Sequence, residues 1–464
     1  MAGNPKPTTI LERCRVSPPH PSASDVAEQT LPLTFFDVAW LHFHPIQRLL
    51  FYPFPCSEPN FLENIVPCFK KSLSQTLKHF LPLSGNLIYP LNSDKIPQIR
   101  YVPGDSVSVT IAKSNKAHDF NHLTGNNPRG ADEFYAFLPD LPPPEYEPGF
   151  KLIPLLALQI TLFPGAGICI GFVNNHSVGD ASSIVGFIKA WSLISRLGKD
   201  DGGFLSANNL LPVYDRSMVK DPSGLADIYL NQIKQNSKIE SLPVNFPTNK
   251  VRSTYILQKT DIQKLRDFVQ SRNPNLIHLS PFTITTAYVW SCLARSAAIA
   301  GEDVAGDERE YFAFAVDARR RTDPPVPEAY FGNCVGLAMA ECTHADLVGG
   351  AGFPVAAELI GEVISKKVKN KDEILRGAED WLSKLGEIIG KRLFGVAGSP
   401  RFDLYDVDFG WGKPGKYESV SIDGDGSMSL CKSREFDGGL EIGLSLSKKK
   451  MDAFAGIYSM GLEI

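Results

Sequence analysis

GICIGFVNNHSVGDASSIVGFIKAWSLISRLG, residues 167–198, is the stretch on which the fold turns. Its opening residues, Gly167 to Val173, are apolar without alternation, which predicts a strand covered on both faces. Asn174-Asn175-His176-Ser177-Val178-Gly179 then reads as a polar turn, and Asp180 stands where a helix N-cap belongs. From Ala181 onward Ile184, Val185, Ile188, Trp191, Ile194 and Leu197 recur at helical spacing, and Gly198 closes the helix. Just upstream, LLALQITLF (155–163) reads as a neighbouring strand joined through Pro164-Gly165. This strand–turn–helix unit sets His176 at the C-terminal end of a buried strand, where α/β folds open into clefts. Its ordinary pKa, near 6.5, suits general-base work at neutral pH. Taken alone, His-x-x-x-Asp is better read as a packed core histidine followed by a helix cap.

Outward from this unit the chain alternates between the two periodicities. FLENIVPCFKKSLSQTLKHF (61–80) has apolar residues at helical spacing, and PLSGNL (82–87) turns into a strand. Residues 1–30 are rich in Pro and Ser and read as an extended arm. Residues 199–250 lose periodicity, contain Pro212, Pro222, Pro243 and Pro247, and read as a crossover linker. The second half opens with the strand VRSTYILQ (251–258), followed by helices at 261–272 and 280–297 and a strand at 311–320. Helices are then expected at 353–368 and 372–389. The C-terminal end, from RFDLYDVDFGWG (401–412) to GGLEIGLSLS (438–447), reads as β-rich, with its last two strands meeting at a Gly/Asp-rich hairpin. No internal repeat is visible.

Composition narrows the function. A chain of 464 residues exceeds what one core usually serves, so two parts are expected. The boundaries suggested by the pattern are 1–215 and 216–464. A net charge of −4 gives no basic footprint for nucleic acid or for a membrane surface. The longest apolar stretch, LIPLLALQITLF (152–163), is too short to span a bilayer and is interrupted by Gln159. MAGNPKPTTILERCRVSPP lacks the apolar core of a signal peptide, so the expected location is the cytoplasm. The eight cysteines include no Cys-x-x-Cys, which speaks against zinc and redox motifs; no metal is expected. Asp408-Phe409-Gly410 echoes a kinase motif, but the companion kinase motifs are missing, as are Walker, zincin and nucleophile-elbow patterns. Asp423-Gly424-Asp425-Gly426 lacks the later ligands of a calcium loop and reads as a turn. Asn175-His176-Ser177 is formally a glycosylation sequon, placed against a buried strand.

Three separated motifs change the weight of His-x-x-x-Asp. His176-Ser-Val-Gly-Asp180, Tyr330-Phe-Gly-Asn-Cys334 and Asp408-Phe-Gly-Trp-Gly412 together resemble the plant BAHD acyltransferases. YFGNC, LTFFD (33–37) and LEIGLSLS (440–447) are similar to the branch that acylates sugars of anthocyanins, flavonoids and phenolic glucosides. The resemblance implies a two-domain, chloramphenicol-acetyltransferase-like α/β fold: mixed sheets flanked by helices, with a channel between the domains. It implies a general-base His176, and an Asp180 that is structural and pairs with Arg319. Asp408, Phe409, Gly410, Trp411 and Gly412 would form a structural loop. Lys250, Arg252, Ser280, Thr283 and Ser399 are the candidates for contact with CoA. No cofactor is expected to be resident: acyl-CoA, with malonyl-CoA favoured, would be a co-substrate and a phenolic glycoside the other small-molecule partner. The chain is expected to act as a monomer. The alternatives left open are a hydroxycinnamoyl donor on the same acceptors and a non-catalytic ligand-binding relative. One departure is Asn175, which stands where many relatives carry a second histidine.

Overall fold

The computed structural model describes residues 7–19, 28–91, 93–116, 119–235, 249–276, 278–369 and 373–463. The decisive unit folds as its pattern predicts. Leu156–Phe163 and Gly167–Asn174 are antiparallel strands in which every residue is buried. His176–Val178 forms a single 3₁₀ turn, and Ala181–Leu197 is a helix. The Asp180 carboxylate accepts the Ser183 N–H at its start, and Gly198 ends it in the left-handed region at φ 68°.

Among the described residues the strands form three sheets. The first has six strands in the order Thr8–Val16, Val107–Ser114, Leu156–Phe163, Gly167–Asn174, Ile46–Tyr52 and Lys416–Ser419. The second has seven, in the order Val335–Thr343, Arg309–Asp317, Arg392–Ala397, Ser427–Lys432, Leu440–Ser447, Lys250–Leu257 and Arg129–Gly130. Both sheets mix parallel and antiparallel neighbours. A smaller antiparallel sheet of five strands is built from Gln29–Pro32, Asn86–Pro90, Gln98–Tyr101, Glu145–Glu147 and Phe150–Pro154. Helices Ala181–Leu197 and Pro281–Ile299 carry largely buried apolar faces, with Trp191 and Trp290 fully enclosed. Among the described residues no helix is long and apolar enough to cross a membrane.

The two halves of the chain exchange strands. Lys416–Ser419, from the C-terminal half, pairs with Ile46–Tyr52 at the edge of the first sheet. Arg129–Gly130, from the N-terminal half, pairs with Lys250–Leu257 at the edge of the second. A buried ion network holds this crossing. Glu418 receives Arg129 Nη1 at 2.8 Å and Arg252 Nη2 at 3.0 Å, and Arg252 also meets Asp423. Burial alone would push the Glu418 carboxyl up, but Arg129 and Arg252 hold it down at about 2.

Several expectations change. Residues 199–250 are not a bare linker: Gly202–Ala207 and Leu225–Gln235 are helices, while 236–248 lie outside the described residues. The second of these buries Leu225, Ala226, Tyr229, Leu230 and Ile233, a helical stripe obscured by polar and Pro-containing flanks. The expected arm contains an edge strand, Thr8–Val16. Residues 401–415 form no strand; they make one 3₁₀ turn and a loop, because Gly410 and Gly412 take positive φ values of 96° and 85°. The expected helix at 372–389 shrinks to Trp381–Ile388 with a 3₁₀ turn before it. After the C-terminal hairpin the chain ends in a helix, Lys448–Met460, that docks Met451, Phe454, Ile457 and Tyr458 into the core.

Candidate active site

The turn bearing His176 is tied down from three directions. Its own sequence starts the work: Asn175 Oδ1 accepts the Ser177 N–H at 2.9 Å and the Ser177 hydroxyl at 2.8 Å, which shapes the 3₁₀ turn. At its far end Asp180 meets Arg319 in a bidentate pair, Nη1 to Oδ2 at 2.8 Å and Nη2 to Oδ1 at 3.0 Å. Both side chains are buried. Asp180 Oδ2 also accepts the Cys334 N–H at 3.0 Å, so one carboxylate binds the turn, the helix start and the second half of the chain together. Arg319 extends the link through Nη2 to the carbonyls of Tyr330 and Gly332.

The third tie joins motifs that carry no evident chemistry in the sequence. Asn333 Nδ2 donates to the backbone carbonyl of His176 at 2.9 Å. The same side chain and its backbone N–H both donate to Asp37 Oδ1, at 3.1 Å and 2.7 Å. Asp37 is the last residue of LTFFD and Asn333 the fourth of YFGNC, so these two segments and the His176 turn share one buried network. Gly332 supplies the bend: its φ of 149° suits glycine, and a Cβ there would strike the Arg216 guanidinium and the Tyr330 ring. Arg216 Nη1 donates to the Tyr330 hydroxyl and the Phe331 carbonyl, both at 2.6 Å.

The imidazole of His176 lies flat on the indole of Trp40, with centroids 4.1 Å apart and planes 7° from parallel, and meets the edge of Phe43 at 5.3 Å. Burial lowers its pKa to about 4. Its own backbone carbonyl works against that shift, Arg48 adds to it, Asp180 opposes it and His44 adds to it. The ring is therefore neutral at pH 7 and able to take a proton. Nδ1 is buried with no hydrogen-bond partner. Cys334 is no competing nucleophile: burial pushes its thiol well above the ordinary range.

The Asp408 loop lies at the other end of helix Ala181–Leu197. Asp408 Oδ1 accepts the N–H groups of Gly410 at 2.7 Å and Gly412 at 3.0 Å. Phe409 is buried edge-on against Trp191 at 4.9 Å and stacks with Trp411 at 5.5 Å. Ser195 Oγ donates to the Phe409 carbonyl at 3.0 Å. The loop clamps the C-terminal turns of the helix whose N-terminus positions His176.

The residues expected to meet CoA already have partners within the fold. Arg252 is a correction: it is 1% exposed, its two terminal nitrogens are taken up by Glu418, Asp423 and the Ser419 carbonyl, and its remaining Nε is buried away from solvent, where a phosphate would not reach it. Lys250 Nζ donates to the Asp423 carbonyl at 2.6 Å. Ser280 caps helix Pro281–Ile299 through the Thr283 N–H, and Thr283 itself is fully buried. Ser399 Oγ accepts the Arg401 N–H at 3.3 Å. Trp40, Phe43, Arg48, Asp37 and Asn333 have no assigned role in the sequence pattern. The available signals were the two motifs that contain Asp37 and Asn333, and the lone charge of Arg48 inside the apolar strand IQRLLFY.

The proteins that this chain is similar to identify its family. Residues 6–458 match the transferase family. The chain belongs to the BAHD transferase family. It is 50% identical over 455 residues to the malonyl-coenzyme:anthocyanin 5-O-glucoside-6'''-O-malonyltransferase of Salvia splendens, covering 97% of this chain and 95% of that one. It is 46% identical over 457 residues to phenolic glucoside malonyltransferase 1 of Nicotiana tabacum, covering 98% and 99%. Among solved structures it resembles vinorine synthase, with a TM-score of 0.69 and 21% identity over 96% of each chain. That likeness shows the chloramphenicol-acetyltransferase-like α/β fold, with mixed sheets and flanking helices, that the motif resemblance implies. This BAHD transferase is accordingly an acyl-CoA-dependent acyltransferase.

Proposed function

We propose that this BAHD transferase moves a malonyl group from malonyl-CoA to a sugar hydroxyl of an anthocyanin, flavonoid or phenolic glucoside. The observation that carries the reading is the neutral His176, held through its backbone by Asn333 and Asp37 and through its turn by Asp180 and Arg319. Its support on donor and acceptor comes from relatives 50% and 46% identical over nearly the full chain.

A sugar hydroxyl is a weak nucleophile at neutral pH. On this reading Nε2 of His176 takes its proton as the oxygen attacks the thioester carbonyl. The resulting tetrahedral adduct collapses with cleavage of the C–S bond, and the proton passes from the imidazolium to the departing CoA thiolate. The products are the malonyl ester and CoA with its free thiol, so protons and charge balance without a covalent acyl-enzyme. A positioned base contributes ~10²–10⁴ in rate. A low intrinsic pKa keeps His176 unprotonated in the free enzyme, and the aromatic walls of Trp40 and Phe43 hold the ring in one orientation. Asp180 does no proton transfer here, because both its oxygens are spent on Arg319 and backbone N–H groups. Lys250, Ser280 and Ser399 would meet the CoA, and the two substrates would reach His176 through a channel between the halves of the chain.

The test is competition between equal concentrations of malonyl-, acetyl- and coumaroyl-CoA, with one flavonoid glucoside and one simple phenolic glucoside as acceptors, read by product mass. Predominant malonyl ester is expected on at least one acceptor. Predominant coumaroyl ester would overturn the malonyl assignment, and the absence of any ester would overturn acyl transfer to these acceptors.

A further inference from the structure

Four arginines are buried among the described residues: Arg48, Arg129, Arg252 and Arg319. Three of them sit against carboxylates. Arg129 and Arg252 share Glu418, Arg252 also meets Asp423, and Arg319 grips Asp180. Arg48 differs. It stands on the strand Ile46–Tyr52, opposite Phe172 of the strand that leads into the His176 turn and opposite Ser419 on its other side. Its Nη1 donates to Asn174 Oδ1 at 2.9 Å, two residues before His176. The Tyr417 phenol is its other polar neighbour. Among the described residues no carboxylate forms an ion pair with it. The electrostatic contrast follows. Burial lowers the proton affinity of Arg48, whereas in Arg252 and Arg319 the same burial is outweighed by their carboxylates.

A buried guanidinium without a counter-anion is costly to keep. Its planar fork matches a carboxylate, and it is close enough to the reaction centre to act on His176. In a malonyl thioester the free carboxylate lies one methylene beyond the carbonyl that is attacked. A cation that serves it must stand beside the catalytic base and not at the far end of a long acyl pocket. Arg48 meets that requirement, and Asn174 holds its fork from the side of the His176 turn.

We propose that Arg48 receives the terminal carboxylate of the acyl donor and is the residue that selects a dicarboxylic monothioester over a neutral acyl group. The assignment rests on the malonyl reading of the donor. It explains why Asn174, the last residue of its strand, is buried with its amide oxygen turned to a guanidinium and not to the reactants.

The experiment compares malonyl-CoA, its neutral methyl ester and acetyl-CoA as donors with wild type, Arg48→Gln and Arg48→Lys, each checked for folding by circular dichroism. For wild type, kcat/KM should favour the free acid over the methyl ester. In Arg48→Gln the value for malonyl-CoA should fall on the order of 10²-fold or more, because a desolvated charge pair is lost. Acetyl-CoA should fall far less, so the ratio between donors collapses. Arg48→Lys should recover part of the malonyl rate. A parallel fall for all three donors would overturn the assignment and make Arg48 a structural residue. Equal use of the acid and its methyl ester by wild type would overturn it without any variant. Coumaroyl-CoA, added as a fourth donor for wild type, separates the two readings: a preference for it would sink the donor reading on which the assignment rests.

Discussion

Removal of either member of the Asp180–Arg319 pair tests whether the His176 turn is held by charge. Arg319→Ala strands a buried carboxylate that keeps two backbone N–H partners, from Cys334 at 3.0 Å and Ser183 at 3.2 Å. Asp180→Ala strands a buried guanidinium that keeps Asp317 at 3.3 Å and the carbonyls of Tyr330 and Gly332. Breaking a fully buried pair costs ~3–5 kcal/mol. The residual partners place each single variant near the lower end, at ~3 kcal/mol. Asp180→Ala also loses a helix cap worth ~1 kcal/mol. The double variant leaves no unpaired charge. Its loss should fall short of the sum of the single losses by ~2 kcal/mol, within the range seen for residues in direct contact. Urea unfolding of the four proteins gives the cycle, and kcat measured alongside should drop in both single variants as the turn loosens. Asp180→Asn separates the effects, since it keeps the cap and removes the charge. Single losses that add to within ~0.5 kcal/mol would refute a coupled pair.

His176→Ala should remove nearly all turnover while the melting temperature stays close to that of wild type; retention of most of the turnover would remove the general base from the mechanism. With the His176 pKa near 4 in the folded protein, the acid limb of kcat/KM should lie well below pH 6.5, and a limb at 6.5 or above would contradict the buried, neutral ring. The same shift has a stability consequence. The folded pKa is below the unfolded one, so the unfolded chain takes up the proton first, and the fold should lose stability as pH falls from ~6.5 toward 4. Unfolding measured at several pH values should show that loss in wild type and less of it in His176→Ala. Asp408→Ala should cost about 2 kcal/mol by freeing the N–H groups of Gly410 and Gly412; an unchanged unfolding midpoint would show that the loop needs no such anchor.

Features set by local pattern are legible in the sequence, and features set by distant partners are not. The buried strands at 156–163 and 167–174, the capped helix from Ala181 and the C-terminal hairpin follow from periodicity and from Asp180, Gly198 and the Gly-rich turn. Arg319 was legible as the partner of Asp180 through a motif resemblance, and not through spacing. Arg252 shows the limit. On a strand flanked by Lys250 and Ser253 it looks like a solvent-facing cation, yet its partners, Glu418 and Asp423, lie 166 and 171 residues further along the chain. Residues 401–412 show another limit. Their aromatic and acidic alternation imitates a strand, but an aspartate that takes up two nearby N–H groups and two glycines with positive φ turn the backbone into a loop. The helix at Leu225–Gln235 was hidden because it is short and set between Pro- and Asn-rich stretches.

The exchange of edge strands has a mechanical outcome. Lys416–Ser419 is hydrogen-bonded into the sheet of the N-terminal half and Arg129–Gly130 into that of the C-terminal half. Swinging the halves apart would tear both ladders and separate Arg129 and Arg252 from Glu418 in a dry interior. A clamshell opening of the halves would therefore have to break both pairings and the buried ion network. On the proposed mechanism, both substrates would then have to reach His176 with these strand pairings intact. Severing the chain between its halves would yield fragments that each lack an edge strand, so that neither piece presents a finished sheet until the two are mixed.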